Sequence, residues 1–350
     1  MGLSEESTGR RFSKQIRVLI VDDSALVRRI LCQAISQCDD MLVVGTASDP
    51  FVARDKILEL HPDVVTLDLE MPRMDGLTFL KKIMRYHPIP VIVISSVGQA
   101  SAVHALEALK LGAVEVFAKP NGSFSAGELT SALPDRIRAA AQSKKVTALN
   151  MNPGHSKQKA IRRQLLIAIG ASTGGTEAIE KLMTAMPLDC PPILVVQHIP
   201  AGFSTAFANR LDSLSQIKVK EAEDGDAIVP GCALVAPGNF HMVLQNSPTG
   251  MRVGIRSGPM VCYQRPSVDV LFRSIAEYLG DQCVAALLTG MGSDGAQGLL
   301  KLRQTGARTM TQDEGSCVVY GMPREAVRIG ASEQSLPLGR IASALLEKPS

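Results

Sequence analysis

Ser172 lies in a glycine-rich turn whose residue types could carry out acyl transfer. The segment from Leu165 to Thr176 reads Leu-Leu-Ile-Ala-Ile-Gly-Ala-Ser-Thr-Gly-Gly-Thr, which predicts a buried strand followed by a sharp turn into a helix. The hydroxyl would then lie at a helix N-terminus, where unpaired N–H groups favour developing negative charge. Similar turns also bind phosphate or simply redirect the chain, so a nucleophilic serine here requires a base.

Two further polar residues could complete a catalytic set with Ser172. His198 follows the apolar run 193–197, and Asp294 follows the segment 287–293, Leu-Leu-Thr-Gly-Met-Gly-Ser. A histidine can accept the serine proton, and a carboxylate can orient the imidazole and stabilise its cation. Taken singly, His198 could be a polar residue at a strand end and Asp294 a helix N-cap. The order Ser, His, Asp differs from that of α/β-hydrolases and of the two best-known serine protease families.

A second group of polar residues ends predicted strands in the first third of the chain. Asp22 and Asp23 follow the first apolar run and Asp68 the third, while Ser95 and Lys119 end the fourth and fifth. Clustered carboxylates repel one another and are tolerated around a hard cation with oxygen ligands such as Mg²⁺. A carboxylate beside Mg²⁺, an ammonium and a hydroxyl is a suitable phosphoryl acceptor. Any one of these acids could be an N-cap, but five residues placed this way favour phosphoryl transfer.

The apolar periodicity predicts two α/β units that position these residues. The first is a five-stranded, parallel, doubly wound sheet with strands at 16–21, 41–46, 63–67, 90–95 and 113–117. The second has a mainly parallel sheet, with strands at 165–170, 192–197, 233–236 and 283–289 and helices near 174–186, 268–279 and 295–305. Turn signals near 238–239 and 246–250 add a small antiparallel appendage. Sites in such sheets lie at the carboxyl ends of the strands.

Length and composition indicate two domains joined by a linker. The 350 residues exceed the usual single-domain size. Residues 1–14 are predicted to be a flexible tail, 15–138 the first domain, 139–163 a polar linker, and 164–346 the second domain.

Charge, cysteine usage and hydropathy exclude several classes of protein. A net charge of +3 without a dense basic face argues against nucleic acid as a partner. The seven cysteines are scattered singly, which indicates reduced thiols rather than a zinc site or a disulfide framework. No secretory signal is evident and no apolar run approaches the roughly 20 residues that cross a bilayer. We therefore expect a cytoplasmic monomer without membrane insertion.

The first domain resembles the receiver domain of response regulators, which have a flavodoxin-like fold and receive a phosphoryl group from a histidine kinase. By this resemblance Asp68 is the phosphorylated aspartate, and Ser95 and Lys119 sense the phosphoryl group. The Mg²⁺ ligands that the resemblance implies are Asp22, Asp23, Asp68 and the backbone of Glu70.

The second domain resembles the catalytic domain of the CheB family of chemotaxis protein-glutamate methylesterases. The motifs Gly-Ala-Ser-Thr-Gly-Gly, Gln-His-Ile-Pro and Gly-Met-Gly-Ser-Asp-Gly occur in the family's order. The resemblance implies a three-layer α/β fold in which Ser172 is the nucleophile, His198 the general base and Asp294 its orienting partner. The Met291 N–H, with Thr173, would form the oxyanion hole.

This second resemblance implies hydrolysis of glutamate γ-methyl esters, and deamidation of specific glutamines, on chemoreceptors during adaptation. The hydrolysis needs no cofactor. The resemblance further implies that the unphosphorylated receiver covers the catalytic mouth and that phosphorylation at Asp68 favours an open arrangement. A DNA-binding output would predict a short basic helix-turn-helix unit, which the sequence from 164 to 346 lacks. A non-catalytic output domain and a general esterase remain the alternatives.

Overall fold

The computed structural model describes residues 15–96, 98–119, 126–143, 166–248 and 250–347. The predicted tail, 1–14, and residues 144–163 of the predicted linker lie outside these ranges. Among the described helices, none is both long enough and apolar enough to cross a membrane.

The N-terminal part forms a five-stranded parallel sheet in the order β2-β1-β3-β4-β5, which confirms the predicted topology. The strands are β1 (Ile16–Val21), β2 (Met41–Ala47), β3 (Val64–Asp68), β4 (Val91–Ser95) and β5 (Glu115–Ala118). The helices are α1 (Ala25–Ser36), α2 (Pro50–Leu60), α3 (Gly76–Tyr86), α4 (Gln99–Lys110) and α5 (Ala126–Gln142). Helix α5 continues past residue 138, the predicted end of the first domain.

The C-terminal part contains a seven-stranded parallel sheet in the order β14-β13-β12-β6-β7-β9-β8 and a separate antiparallel hairpin, β10-β11. The sheet strands are β6 (Leu166–Ala171), β7 (Ile193–Gln197), β8 (Lys218–Glu221), β9 (Cys232–Val235), β12 (Cys283–Leu287), β13 (Arg308–Gln312) and β14 (Gln334–Leu336). The hairpin strands are β10 (His241–Ser247) and β11 (Gly250–Arg256). The hairpin is the predicted antiparallel appendage.

Helices cover both faces of the seven-stranded sheet, so this domain has three layers. They are α6 (Gly175–Thr184), α7 (Phe203–Leu214), α8 (Val268–Tyr278), α9 (Ala296–Gln304), α10 (Met322–Arg328) and α11 (Leu338–Leu346). Strand β6 is buried on both faces: Ile167 and Ile169 pack in the core beneath α6, α7 and α11, and Leu166 and Ala168 pack in the core beneath α8 and α9. A continuous apolar run is typical of such a central parallel strand.

The receiver packs directly on the second domain through apolar side chains of α4 and α7. Leu106 belongs to the same buried cluster as Phe207, and Phe203 belongs to the buried cluster of the receiver sheet. Ile199, which follows the end of β7, contacts the receiver cluster as well. This packing brings the receiver over the carboxyl end of β7, the sheet edge that carries the candidate catalytic residues.

Candidate active site

Ser172 begins the turn between β6 and α6 and is almost completely buried. Its N–H donates to Thr289 O at 3.0 Å, and its carbonyl accepts from Gly175 N at 2.7 Å. Gly174 has φ +75°, and a Cβ there would lie 2.6 Å from the Val318 side chain, so the turn requires glycine. Ser172 therefore lies at the N-terminus of α6, as the sequence predicted.

His198 lies beside Ser172 because the strands that precede them are neighbours. The His198 N–H donates to Ala171 O at 3.0 Å, which continues the pairing of β7 with β6. Gln197 Nε2 donates to the carbonyls of Ser172, at 2.9 Å, and His198, at 3.1 Å, so one buried amide holds both turns.

Asp294 accepts hydrogen bonds from the imidazole and from the start of α8. His198 Nε2 donates to Asp294 Oδ2 at 2.8 Å, and both side chains are buried. Ser267 Oγ donates to Oδ1 at 2.7 Å, while the N–H groups of Val268 and Asp269 donate at 2.7 and 3.1 Å. The predicted contact between His198 and Asp294 is thus present, and four donors fix the carboxylate.

These contacts keep the Asp294 carboxylate ionised. Burial alone would raise the pKa of Asp294, but hydrogen bonds from His198, Ser267 and Val268 hold it below its ordinary value. Because an ionised carboxylate only accepts, His198 Nε2 is the donor in this bond, so in the neutral imidazole Nδ1 is the acceptor nitrogen. Among the described residues, Nδ1 has no hydrogen-bond partner, which leaves it available as a proton acceptor.

The Ser172 hydroxyl is bonded to the receiver rather than to His198. Arg136 of α5 donates from Nη1 to Ser172 Oγ at 2.9 Å and to Thr173 Oγ1 at 3.2 Å. The same guanidinium pairs with Glu115 Oε2 at 3.1 Å and, through Nη2, with Gln264 Oε1 at 3.2 Å. Arg136 therefore occupies the space in front of the serine, where an ester would have to bind.

Of the two residues predicted for the oxyanion hole, Thr173 follows Ser172 directly and Met291 follows Gly290, which lies beside Ser172. A Cβ on Gly290 would come within 2.7 Å of the Ser172 Cβ, so the segment leading to Met291 passes directly beside the serine. Thr173 Oγ1 donates to Glu115 Oε2 at 2.5 Å. The Thr173 hydroxyl is thus engaged by the receiver in this arrangement.

Sequence reasoning missed five residues that contact the site. Ser267 is recognisable as the N-cap of α8 from the motif Pro-Ser-Val-Asp, but its bond to Asp294 depends on tertiary packing. No sequence signal links α5 or β5 of the receiver to a serine in the other domain. The missed residues are Glu115, Arg136, Gln264, Ser267 and Asp269.

The carboxylates of the receiver meet at the carboxyl edge of its sheet, as predicted. One oxygen from each of Asp22, Asp23 and Asp68 lies within 4.8 Å of the others. Lys119 Nζ is 2.6 Å from Asp68 Oδ2 and 3.5 Å from Asp22 Oδ2. Burial is the main cause that raises the pKa of Asp68 to about 6, despite its bonds to Lys119 and the Glu70 N–H.

The remaining predicted receiver residues surround this cluster. Ser95 is fully buried at the end of β4, and its hydroxyl has no hydrogen-bond partner among the described residues. The Glu70 side chain accepts from Ser96 Oγ at 2.9 Å and Ser101 Oγ at 2.6 Å. The Glu70 backbone, whose N–H donates to Asp68 Oδ1, is therefore the part of this residue that faces the carboxylate cluster.

The raised pKa of Asp68 predicts a pH dependence of stability. The folded, metal-free protein binds a proton between about pH 6 and pH 4 that the unfolded chain, with an ordinary value of 3.8, does not bind. The destabilisation by this buried charge is full above the folded pKa and disappears as the pH falls through it. The free energy of unfolding of wild type relative to Asp68→Asn should rise by about 1 kcal/mol from about pH 7 to about pH 5.

Urea denaturation of both proteins in metal-free buffer at the two pH values measures this difference. Equal shifts in the two proteins would contradict the assigned pKa of Asp68.

Comparison with known proteins matches each of the two domains to a known family. Residues 167–345 match the model of the CheB methylesterase family, and residues 18–133 match that of the response regulator receiver domain. A protein-glutamate methylesterase/protein-glutamine glutaminase of Syntrophus aciditrophicus is 53% identical over 95% of this chain and 98% of its own. The protein of that name from Escherichia coli is 47% identical over 95% of this chain and 97% of its own.

A solved structure supports the fold of the second domain. The CheB methylesterase catalytic domain of Thermotoga maritima covers 52% of this chain and 96% of its own, with 36% identity and a TM-score of 0.51. Together with the family match, this shows that the chain belongs to the CheB methylesterase family and carries a response regulator receiver domain at its N-terminal side.

Proposed function

We propose that this chain hydrolyses glutamate γ-methyl esters on chemoreceptors and deamidates specific glutamines there, in chemotactic adaptation. The name shared by its relatives states both activities. The observation that carries the proposal is the buried pair of His198 and Asp294 beside Ser172, at one edge of the sheet. Ester and amide hydrolysis are both acyl transfers, so one serine site serves both reactions.

The reaction follows from the positions of the three side chains. His198 Nδ1 takes the proton of the Ser172 hydroxyl as Ser172 Oγ attacks the side-chain carbonyl of the substrate. The ionised Asp294 stabilises the imidazolium that results. The imidazolium returns this proton to the departing methanol or ammonia, which leaves an acyl-enzyme. Water activated by His198 then releases the glutamate and restores the serine.

The developing oxyanion needs donors that face it. We assign this role to the Met291 N–H, with help from Thr173, since Thr173 follows Ser172 and Met291 follows Gly290, which lies beside Ser172. Losing one such donor typically lowers the rate by roughly 10²–10³. The Thr173 hydroxyl would become available only when it leaves Glu115, which ties the oxyanion hole to the position of the receiver.

The proposal is tested by incubating the phosphorylated full chain with a methylated chemoreceptor cytoplasmic fragment. We expect release of methanol, and conversion of specific receptor glutamines to glutamate detected by mass spectrometry. Turnover of small soluble esters without any reaction on the receptor fragment would instead indicate a general esterase.

The receiver site fits Mg²⁺ through its all-oxygen donor set. Asp22 Oδ2 is buried without a hydrogen-bond partner among the described residues, and burial raises the pKa of Asp22. Asp22, Asp23, Asp68 and the Glu70 backbone would hold the cation, which neutralises charge while a phosphoryl group reaches Asp68. Ser95 and Lys119 would then contact the phosphoryl oxygens, and a chemotaxis histidine kinase is the proposed donor.

We propose that the receiver inhibits the esterase through Arg136 and Glu115. Arg136 donates to the Ser172 hydroxyl, and Glu115 holds Thr173, so the ester and the receiver compete for the same atoms. Phosphorylation at Asp68 would shift the two domains toward an open arrangement, which needs a difference of only a few kcal/mol between the states.

Replacing Arg136 with alanine should raise the esterase activity of the unphosphorylated chain roughly tenfold, because a charged hydrogen bond contributes about 1.5–3 kcal/mol. Methanol release from the receptor fragment, without phosphodonor, measures the effect. Arg138→Ala is the matched control, since Arg138 lies on the same helix and pairs with Asp40 inside the receiver. Equal basal activity in Arg136→Ala and wild type would exclude this contact as the inhibitory one.

A further inference from the structure

The hairpin turn 261–264 lies beside the candidate active site, and the mechanism above assigns it no role. Val261 and Gln264 exchange two backbone hydrogen bonds, of 3.1 and 2.9 Å, which close the turn. The two residues at its tip are Cys262, with φ +51°, and Tyr263, with φ +60°.

Both tip residues have the left-handed conformation that glycine and asparagine prefer. A two-residue hairpin turn with both φ values positive usually carries Asn-Gly or a similar pair. A side chain in this region raises the free energy of the fold, and such residues persist where the surrounding structure fixes them and tend to occur at functional sites. Here Arg265 fixes the base of the turn, because its Nε and Nη2 donate to Asn239 Oδ1 at 3.0 and 2.6 Å.

The neighbours of Tyr263 on both sides lie close to the catalytic residues or contact their partners. The Cys262 thiol lies within 4.8 Å of carboxylate oxygens of Asp269 and Asp294. On the other side, Gln264 accepts from Arg136, the residue that contacts the Ser172 hydroxyl. The tip of the turn 261–264 is therefore part of the rim of the catalytic mouth.

Most of the surface of Tyr263 is exposed to solvent. Its side chain is 85% exposed although the receiver is docked nearby. Phe240, just before β10, and Met260, just before the turn 261–264, are 42% and 44% exposed. A 3.0 Å hydrogen bond between His241 Nε2 and Pro259 O joins the start of β10 to the segment before this turn. An aromatic ring with a polar tip at a rim is typical of a residue that binds a partner.

The chemistry of the substrate limits what can reach this rim. Ser172 lies in the turn after β6, with His198 and Gly290 beside it, and the γ-carbonyl of a glutamate ester is only about 4 Å from its own Cα. The backbone that carries the ester must therefore approach the rim closely. If that backbone is helical, with a diameter of about 10–12 Å including side chains, its neighbouring residues meet the rim as well.

We propose that Tyr263 determines specificity by packing against the chemoreceptor helix that carries the esterified glutamate. This inference rests on the proposed function, because it names the polypeptide surface that the same site recognises. The Tyr263 ring stabilises the bound helix without taking part in bond making or breaking. Tyr263 therefore affects KM for the protein substrate and leaves kcat and the reaction of small esters unchanged.

The test compares Tyr263→Gly, Tyr263→Phe and wild type as phosphorylated full chains. KM and kcat are measured with the methylated receptor fragment, kcat/KM with a small soluble methyl ester, and thermal stability by calorimetry. Tyr263→Ala is less suitable, since alanine keeps the left-handed strain that glycine removes. Tyr278→Ala is the control for an exposed tyrosine, since Tyr278 is the last residue of α8 and alanine keeps its helical conformation.

We expect Tyr263→Gly to raise KM for the receptor fragment about tenfold, with kcat and small-ester turnover within about twofold of wild type. Its Tm should be unchanged or higher, because glycine relieves the strain, and Tyr263→Phe should resemble wild type. An unchanged KM, or an equal loss of kcat/KM on both substrates, would overturn the inference while the proposed function stands. If wild type itself released no methanol from the fragment, the proposed function and this inference would both be wrong.

Discussion

Replacing Ser172 with alanine is expected to lower methanol release from a methylated receptor fragment by a factor on the order of 10⁵. The substitution removes the atom that forms the acyl-enzyme in the proposed mechanism and leaves the turn intact, because the bonds that fix the turn use the backbone of Ser172. What activity remains would come from the oxyanion donors and from substrate binding. A methanol assay under single-turnover conditions measures the loss, since it separates chemistry from product release.

Ser274→Ala is a suitable control for this experiment. Ser274 is a half-buried serine on α8 whose hydroxyl accepts from Leu244 N, outside the catalytic cluster. We expect its activity to stay within about twofold of wild type. Activity that persists in Ser172→Ala at the level of this control would remove Ser172 from the mechanism.

Asp294→Asn is expected to lower kcat by roughly 10³–10⁴ and to destabilise the fold as well. Asp294 accepts four hydrogen bonds, and an asparagine NH₂ group would face donors that it cannot satisfy. The imidazole would lose both its orientation and the charge that stabilises its cation. The steady-state rate on the receptor fragment and the Tm of the variant together measure the two effects.

We expect the loss of kcat to be specific to the carboxylate that contacts His198, so a carboxylate elsewhere should be replaceable without it. Asp212→Asn tests this, because Asp212 also accepts a backbone N–H, from Val219, but lies at the end of α7 away from the site. We expect its kcat to match wild type. A kcat for Asp294→Asn equal to that of Asp212→Asn would show that His198 needs no partner.

The sequence predicted the central strands because their apolar runs are continuous. Strands β6 and β7 are buried on both faces and end in residues that could do chemistry, so the α/β class and the positions of Ser172 and His198 at strand ends followed from the pattern. The edge strands were missed. Strands β8 and β14 have three or four residues of mixed polarity, Lys-Val-Lys-Glu and Gln-Ser-Leu, and such short segments carry no periodic signal. Strand β13 was missed as well, although it does not lie at the edge of the sheet, because its buried Thr309, Thr311 and Gln312 resemble a surface segment.

Contacts between the domains could not be predicted for a different reason. The bond between Arg136 and Ser172 depends on the relative orientation of two domains, and no local propensity encodes that orientation. For this reason the expectation of a covered catalytic mouth came from resemblance, whereas the atoms involved came from the structure.

The position of the Arg136 guanidinium has a consequence for signalling in the reverse direction. A single hydroxyl cannot serve both this cation and a bound ester, so an enzyme that holds its substrate is biased toward the separated arrangement of domains. Thermodynamic linkage is reciprocal: whatever the phosphoryl group does for substrate affinity, the substrate does equally for the free energy of phosphorylation. Under the proposed function, chemoreceptors rich in methyl esters would therefore act as effectors of the phosphorylation equilibrium at Asp68.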